Sequence, residues 1–239
     1  MTRKTLLITG ASAGIGAACA KLAAPDYDLY LNYRTDTDGA NATKAACEAH
    51  GAKVILVQAD VADPAAVENM FAQIPHLDAL INNAGIVAQS SKVADYDRAR
   101  LRRMFDVNVL GAMIVARDAA ARMKDGGVIV NVSSAAARLG SGNQYVDYAS
   151  SKAAIDTFTK GLSDELAPDG IRVMSVRPGL IDTEIHTKGG EPGRAQKLAH
   201  MVPMRREGTA EEVARPILFL LSDAASYMTG SAIEVTGGR

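Results

Sequence analysis

Little in this chain points toward a polymer, a membrane or a metal. Aromatic side chains are scarce, with no Trp, four Phe and seven Tyr in 239 residues, too few to interleave with basic residues as a nucleic-acid surface would need. Neither sign of charge dominates: 26 Lys and Arg stand against 27 Asp and Glu, for a net charge of −1. That balance gives no general pull toward nucleic acid or anionic lipid. Only two cysteines occur, Cys19 and Cys47, far apart and without C-x-x-C spacing, which leaves out a disulfide framework. His50, His76, His186 and His200 show no metal-ligand clustering, and no carboxylate set suits glycosidase or two-metal chemistry. Long apolar runs are missing as well. The apolar run within the N-terminal stretch from Met1 to Gly10 is too short for a signal peptide, and Ile217-Leu-Phe-Leu-Leu221 is far too short to cross a bilayer. A reducing cytoplasm is the expected home.

What is present is an alternation. Apolar runs of strand length lie at Thr5–Thr9, Asp28–Tyr33, Lys53–Gln58, Asp78–Ile81, Gly127–Ser134, Gly170–Val176 and Ala232–Val235, separated by helical periodicity. A hydrophobic content of 48% and a charged content of 22% are ordinary for a globular protein. No repeat, low-complexity tract or linker divides the chain. The expectation is a single α/β domain over 1–239, a doubly wound sheet of about seven parallel strands with helices on both faces.

Between the first strand and the first helix lies Gly10-Ala-Ser-Ala-Gly14-Ile-Gly16. Glycines there let the backbone turn sharply and approach a phosphate, and the helix start offers free N–H groups and a positive dipole end. Gly10, Ser12, Ala13, Gly14, Ile15 and Gly16 are therefore candidate dinucleotide-binding residues of a Rossmann-like domain. The second strand ends at Tyr33-Arg34, where the adenosine ribose would lie. No acidic residue is offered to the ribose hydroxyls of NAD, whereas a guanidinium can pair with the 2′-phosphate of NADP. The expected cofactor is NADP(H), with NAD(H) possible. Asp36 and Asp38 look like helix caps. Asp60 and Val61 follow the third strand, and Asp60 suits either the adenine amino group or the start of the helix near Pro64. Asn82 divides between scaffold and site. Asn83, Ala84 and Gly85 end the fourth strand, and the small pair permits close approach to a flat ligand. Pro178, Gly179, Ile181 and Thr183 pass the same sheet edge, where Thr183 could bond a carboxamide.

Tyr148 and Lys152 are four apart on a helix and share one face. An ammonium beside a phenol favours the phenolate and is expected to lower the Tyr pKa toward neutrality. Such a pair can pass a proton to or from an alcohol or carbonyl oxygen. Ser133 and Ser134 end the strand before it, and either could bond that oxygen; a serine-hydrolase reading of Ser134 lacks the G-x-S-x-G elbow. Asn108 sits inside a helical pattern from Asp97 to Lys124, where a local break that frees a carbonyl for water would account for it. Arg98, Arg100, Arg102 and Arg103, interleaved with Asp95, Asp97 and Asp106, read as a solvated or subunit-facing helix surface. The breaker-rich stretch Thr187–Gly193, followed by a helical segment from Ala195 to Met201, reads as a substrate lid spanning about 184–207.

Taken in order, Thr9-Gly10-x3-Gly14-x-Gly16, Asn82-Asn-Ala-Gly85, Asn108, Ser134, Tyr148-x3-Lys152, Pro178-Gly179 and the closing Thr229–Gly238 resemble the short-chain dehydrogenase/reductase family over nearly the whole chain. The likeness is greatest to bacterial beta-ketoacyl-carrier-protein reductases and glucose-dehydrogenase-like members. It implies Tyr148 as general acid/base, Ser134 orienting the substrate oxygen, Lys152 lowering the Tyr pKa and binding the nicotinamide ribose, and Asn108 holding a relay water. It also implies a small carbonyl or alcohol substrate, and a homotetramer or homodimer formed through the helices around 101–124 and 148–167. Two positions depart from the family pattern. The gap from Ser134 to Tyr148 is about one residue longer, which keeps Ser133 open, and Ala13 stands where many NADP-preferring relatives carry a basic residue. A non-catalytic NADP-binding sensor on the same fold would be expected to break the Tyr–Lys pair, which this chain keeps.

Overall fold

The computed structural model describes residues 3–239. Met1 and Thr2 of the N-terminal stretch lie outside the described residues, as do the side chains of His186 and Lys188. The elements run β1 (Lys4–Ile8), α1 (Gly14–Ala23), β2 (Tyr27–Tyr33), α2 (Thr37–Glu48), β3 (Val54–Gln58), α3 (Pro64–Ala72) and β4 (Ala79–Asn82). Then come α4 (Arg98–Phe105), a π-helical segment (Asp106–Gly111), α5 (Ala112–Ala120), β5 (Gly127–Val132), α6 (Ala136–Leu139) and α7 (Val146–Leu166). The chain closes with β6 (Ile171–Pro178), α8 (Glu184–Lys188), α9 (Arg194–Leu198), α10 (Ala210–Leu221) and β7 (Ala232–Val235). All seven strands are parallel, in the order β3-β2-β1-β4-β5-β6-β7.

Strand side chains alternate between two buried faces. Leu6, Ile8, Ile81, Val130 and Met174 pack beneath α1 and α10 with Val213, Ile217 and Leu220. Their neighbours Leu7, Leu80, Ile129 and Val173 face the other way, against Val67, Phe71, Val115 and Ala119 from α3 and α5. Burial on both sides explains why the strands read as near-continuous apolar runs rather than alternating ones. Sequence and structure agree on all seven strands to within one or two residues. β6 runs on to Pro178 because Arg177 and Pro178 still pair with Glu234 and Val235.

Local chemistry sets the helix starts. Asp36 caps α2 by accepting from Gly39 N. Asp63, not Asp60, caps α3, accepting from Ala65 and Ala66 N with Pro64 at the first turn. Thr209 and Glu212 form a reciprocal capping box on α10. The breaker-rich stretch after Asp182 is more ordered than its composition suggests: α8 begins at Glu184, α9 at Arg194, and Ala195 and Val202 bury with Leu180 in a small apolar cluster of their own. No described helix is long and apolar enough to cross a membrane.

The direction in which strands are added to the sheet reverses between β1 and β4. The strands after β1 fill one side of the sheet and β4 onward fills the other, which opens a crevice at the carboxyl ends of the strands.

Candidate active site

That crevice is a cleft of about 830 Å³. It runs from Arg34 and Arg103 at one end, past the glycine loop, to Tyr148 and Arg194 at the other. The glycine loop forms its floor. Gly14 has φ +54°, the left-handed region. A Cβ on Gly16 would stand 2.3 Å from Gly10 O and 2.7 Å from Asn83 Nδ2, so no side chain fits there. Ala13 precedes α1 with no side-chain cap, and the first turn carries no acidic residue. The opening N–H groups of α1 are thus left for a ligand, and the helix dipole gives them a positive field. A cradle of bare N–H donors walled by backbone fits the diphosphate of a dinucleotide.

Polar side chains behind the loop hold it in place. Asn83 Nδ2 donates to Thr9 O (2.9 Å) and Gly10 O (3.1 Å), while Thr9 Oγ1 accepts from Asn83 N and Ala84 N, both at 2.9 Å. Asn83 lines the cleft, and its side chain fastens the glycine loop to the tip of β4. Asn82 resolves to scaffold, donating to Ala112 O (2.8 Å) and Asn131 Oδ1 (3.1 Å), with Asn131 passing on to Thr159. Buried Asn32 donates to Val57 O and Ala59 O, tying the ends of β2 and β3. Val61 is buried, and Gly111 packs against its carbonyl.

At the Arg34 end of the cleft Tyr33 is buried and Arg34 is half-exposed. Asp60 Oδ1 accepts from Ala62 N at 3.0 Å, and Oδ2 accepts from Arg103 Nη2 at 2.8 Å. Burial would raise the Asp60 pKa, but the bonds from Ala62 and Arg103 and the charges of Arg103 and Arg34 outweigh it and hold it below the usual carboxylate range.

At the other end, Tyr148 and Lys152 lie on one face of α7 and both line the cleft. Lys152 is only 5% exposed. Its Nζ donates to Val132 O at 2.8 Å and stands 5.8 Å from the centre of the Tyr148 ring. Burial pushes its pKa down to about 8, against the opposing charge of Asp156. The expected lowering of the Tyr148 pKa is not what the structure gives. Burial raises it, and the hydrogen bond with Ser134 works the other way without overcoming it. The ammonium bonds Val132 O and stands 5.8 Å from the ring centre, and desolvation of the phenol wins.

The two serines part company. Ser133 is buried and its Oγ donates to Lys152 O at 3.1 Å. Ser134 Oγ accepts from Ala136 N at 3.1 Å and bonds the Tyr148 hydroxyl. Asn108, 1% exposed, lies within the π-helical segment, where the break read from the sequence occurs. Its side chain is fully engaged: Oδ1 accepts from Ile86 N (2.8 Å), and Nδ2 donates to Ile86 O (2.9 Å) and Ser151 Oγ (3.1 Å). Gly85 lies beside it, where a Cβ would stand 3.4 Å from both Asn108 Oδ1 and Lys152 Nζ, an ordinary contact distance. Pro178, Gly179, Ile181 and Thr183 form the wall opposite β4, and Thr183 faces Gly14 across the cleft.

A second concavity, about 670 Å³, lies at the opposite edge of the sheet between Arg3, Asp26 and Asp223, and holds none of the candidate residues. Among the described residues, no three His, Cys, Asp or Glu side chains gather as a metal site.

A family model described as enoyl-(acyl carrier protein) reductase matches residues 10–239. An uncharacterized oxidoreductase of Escherichia coli K12, YgfF, is 47% identical over 243 residues, covering 98% of each chain. The protein belongs to the short-chain dehydrogenase/reductase family. Solved structures agree with that assignment. A short-chain dehydrogenase from Burkholderia cenocepacia in complex with NADP superposes with a TM-score of 0.92 at 33% identity, over 98% of this chain and 97% of that one. A blue fluorescent protein from a metagenomic library in complex with NADPH gives 0.89 at 33% identity, with the same coverage.

In this short-chain dehydrogenase/reductase, Arg100 and Arg103 of α4 turn inward from the solvated or subunit-facing surface expected of the four arginines, while Arg98 and Arg102 are exposed. Arg100 donates to buried Asp147 at 2.7 Å, to Gln89 O and to Ser91 Oγ, and stacks 4.1 Å over Tyr96. It therefore clamps the start of α7, and with it Tyr148, to the loop after β4. Arg103 turns into the cleft. Of the four, Arg102 is the one whose ion pair, with Asp106, is a conventional exposed one. The site also recruits Arg194 from α9, which bonds Glu191 (2.8 Å) and Gln144 (2.5 Å) and lies 4.7 Å over the Tyr145 ring. Ser90 N donates to the same Glu191 at 3.1 Å. The spacing of Glu191 and Arg194 fits a helix-start ion pair; nothing in it shows which loops the pair joins.

Proposed function

We propose that the protein is an NADP(H)-dependent oxidoreductase that interconverts a carbonyl and a secondary alcohol, with Tyr148 as the general acid/base. The observation that carries this reading is one continuous cleft, with a phosphate cradle and two guanidiniums at one end and the Tyr148–Ser134 hydroxyl pair beside Lys152 at the other. Both solved relatives described above are complexes with NADP or NADPH.

The residues fit the coenzyme along its length: the start of α1 for the diphosphate, Arg34 for the 2′-phosphate, and Lys152 with Thr183 for the nicotinamide end. When bound, the nicotinamide supplies or accepts the hydride. The chain's own task is orientation and the proton. Burial keeps Tyr148 in its phenol form at neutral pH, which is the form that can protonate the oxygen of a carbonyl being reduced. Ser134, bonded to that hydroxyl and held by Ala136 N, is placed to donate to the same substrate oxygen. Ser134→Ala is expected to lower kcat by roughly 10²-fold, the scale for losing one positioned donor. Steady-state rates with a reducible ketone check it. Asn108 has its side chain committed to Ile86, so its contribution to a proton relay would come from the carbonyl displaced by the π turn.

The segment from 184 to 207 is the substrate lid in this reading. It is supported by the Glu191–Arg194 pair, which reaches Ser90 in the loop after β4 and the cleft residue Gln144. Leu101, Phe105 and Leu110 are large and exposed along α4 and the π segment, which supports a homodimer or homotetramer formed through that ridge.

Two measurements test the assignment. A panel of ketones, aldehydes and sugars is incubated with NADPH and followed by coenzyme absorbance; tight NADPH binding with no oxidation across the panel would remove the enzymatic reading. Arg34→Ala is expected to raise KM for NADPH by roughly 10–10²-fold, the scale of a lost charge-assisted bond, with little change for NADH. Equal changes for both coenzymes would show that Arg34 does not read the phosphate.

A further inference from the structure

The adenosine end of the cleft holds more charge than one phosphate contact requires. Arg34 extends from the end of β2, 54% exposed, with Nη1 4.0 Å from Asp60 Oδ2. Arg103 reaches the same oxygen from the last turn of α4 at 2.8 Å and is 38% exposed. The other carboxylate oxygen accepts from Ala62 N at 3.0 Å. Asp60 is therefore satisfied at both oxygens without Arg34, whose contact is too long for a hydrogen bond.

We propose that Arg103 is a second determinant of coenzyme choice, a positioning residue that holds Asp60 and so leaves the Arg34 guanidinium available to the 2′-phosphate. The proposal rests on the reading above that this cleft takes NADP(H). Its physical basis is competition for one mobile cation. Arg103 and Asp60 are paired at 2.8 Å, which leaves Arg34 as the cation outside that ion pair. Without Arg103, Asp60 loses its ion-pair partner, and the exposed Arg34 side chain has only about an ångström to travel to form a charge-assisted bond with it. The phosphate would then meet a neutralised arginine and an adjacent carboxylate. A coenzyme without that phosphate would be nearly indifferent, because the change concerns charge rather than the shape of the cleft. The four-arginine run of α4 thereby divides its work: Arg100 fixes the start of α7 and Arg103 sets the electrostatics of the opposite end.

The test measures binding and requires no turnover. Dissociation constants of 2′,5′-ADP and 5′-AMP are determined by calorimetry, and their ratio reports phosphate recognition alone. The parent should prefer 2′,5′-ADP, and Arg34→Ala should lose that preference. Arg103→Gln should reduce it about tenfold, and adding Asp60→Asn to Arg103→Gln should restore most of it, since residue 60 then carries no charge to capture Arg34. A preference lost in Arg34→Ala but unchanged in Arg103→Gln would overturn the inference and leave the coenzyme reading standing. A preference reduced in Arg103→Gln and not restored by Asp60→Asn would mean that Arg103 binds the phosphate itself, which also overturns the positioning role. A parent that does not distinguish the two ligands would remove the coenzyme reading and this inference together.

Discussion

Tyr148→Phe is expected to bind NADPH as tightly as the parent and to lose turnover by roughly 10²–10⁴-fold or more, the range for a positioned general acid. The two halves of that expectation come from different parts of the cleft. Phenylalanine keeps the ring that packs at the start of α7, where Asp147 is clamped by Arg100, so the helix has no reason to move. The phosphate cradle, at the far side of the cleft, does not involve Tyr148. What disappears is the one hydroxyl bonded to Ser134. Ser134 itself is not orphaned, because its Oγ still accepts from Ala136 N. The pH dependence carries the same logic. A pKa raised by burial keeps the phenol protonated through neutral pH, so the reductive rate should stay level there and fall only as pH rises toward the Tyr148 pKa. The oxidative rate, which needs the phenolate, should rise over the same range. Coenzyme fluorescence titration and steady-state rates in both directions measure these quantities, and a phenylalanine variant turning over at near the parental rate would end the assignment.

The parts of this molecule that could be read from sequence are those in which one residue type has one local reason to be where it is. Gly14 and Gly16 are such cases: one needs a positive φ, the other has no room for a Cβ. Apolar runs bounded by polar residues gave the seven strands because a doubly covered parallel sheet permits nothing else along its strands. Asn108 marked the π segment because asparagine inside a helix requires a local explanation. Where a side chain has several possible partners, local reasoning stopped short. Arg100, Arg102 and Arg103 are near neighbours in sequence, yet they end respectively on buried Asp147, exposed Asp106 and the cleft residue Asp60. Only helix phase and the position of α3 and α7 distinguish them. Asn83 borders the small Ala84-Gly85 pair, but the partners of its side chain, Thr9 and Gly10, are more than seventy residues away and no local pattern names them. The Tyr148 pKa was misjudged for a related reason. Spacing puts an ammonium one turn from a phenol, but the sign of the result depends on burial and on what else the ammonium bonds, and neither is a property of spacing.

Lys152→Met should lose turnover by about 10²-fold or more and, at the same time, stabilise the coenzyme-free protein in a way that fades as pH rises. Lys152 is buried, donates to Val132 O, and has its own carbonyl held by Ser133 Oγ. Its pKa is about 8 in the folded protein against an ordinary 10.5. Below pH 8 both folded and unfolded chains carry the charge, and the folded one bears the full cost of burying it. Between pH 8 and 10.5 the folded chain has released a proton that the unfolded chain still holds, so the parent gains stability with rising pH. Above that range the lysine is neutral in both states. Methionine has nearly the same length and never carries the charge. Its advantage should therefore be greatest at neutral pH and shrink by about 3 kcal/mol toward pH 10.5, on the scale set by the pKa difference. The donor lost from Val132 O adds a penalty that does not vary with pH and leaves the slope intact. Urea titrations of both proteins at neutral and alkaline pH measure that slope. A stability difference constant across the range would mean that the ammonium is not the strained group, and the reactive end of the cleft would then owe its chemistry to Tyr148 and Ser134 without a poised lysine.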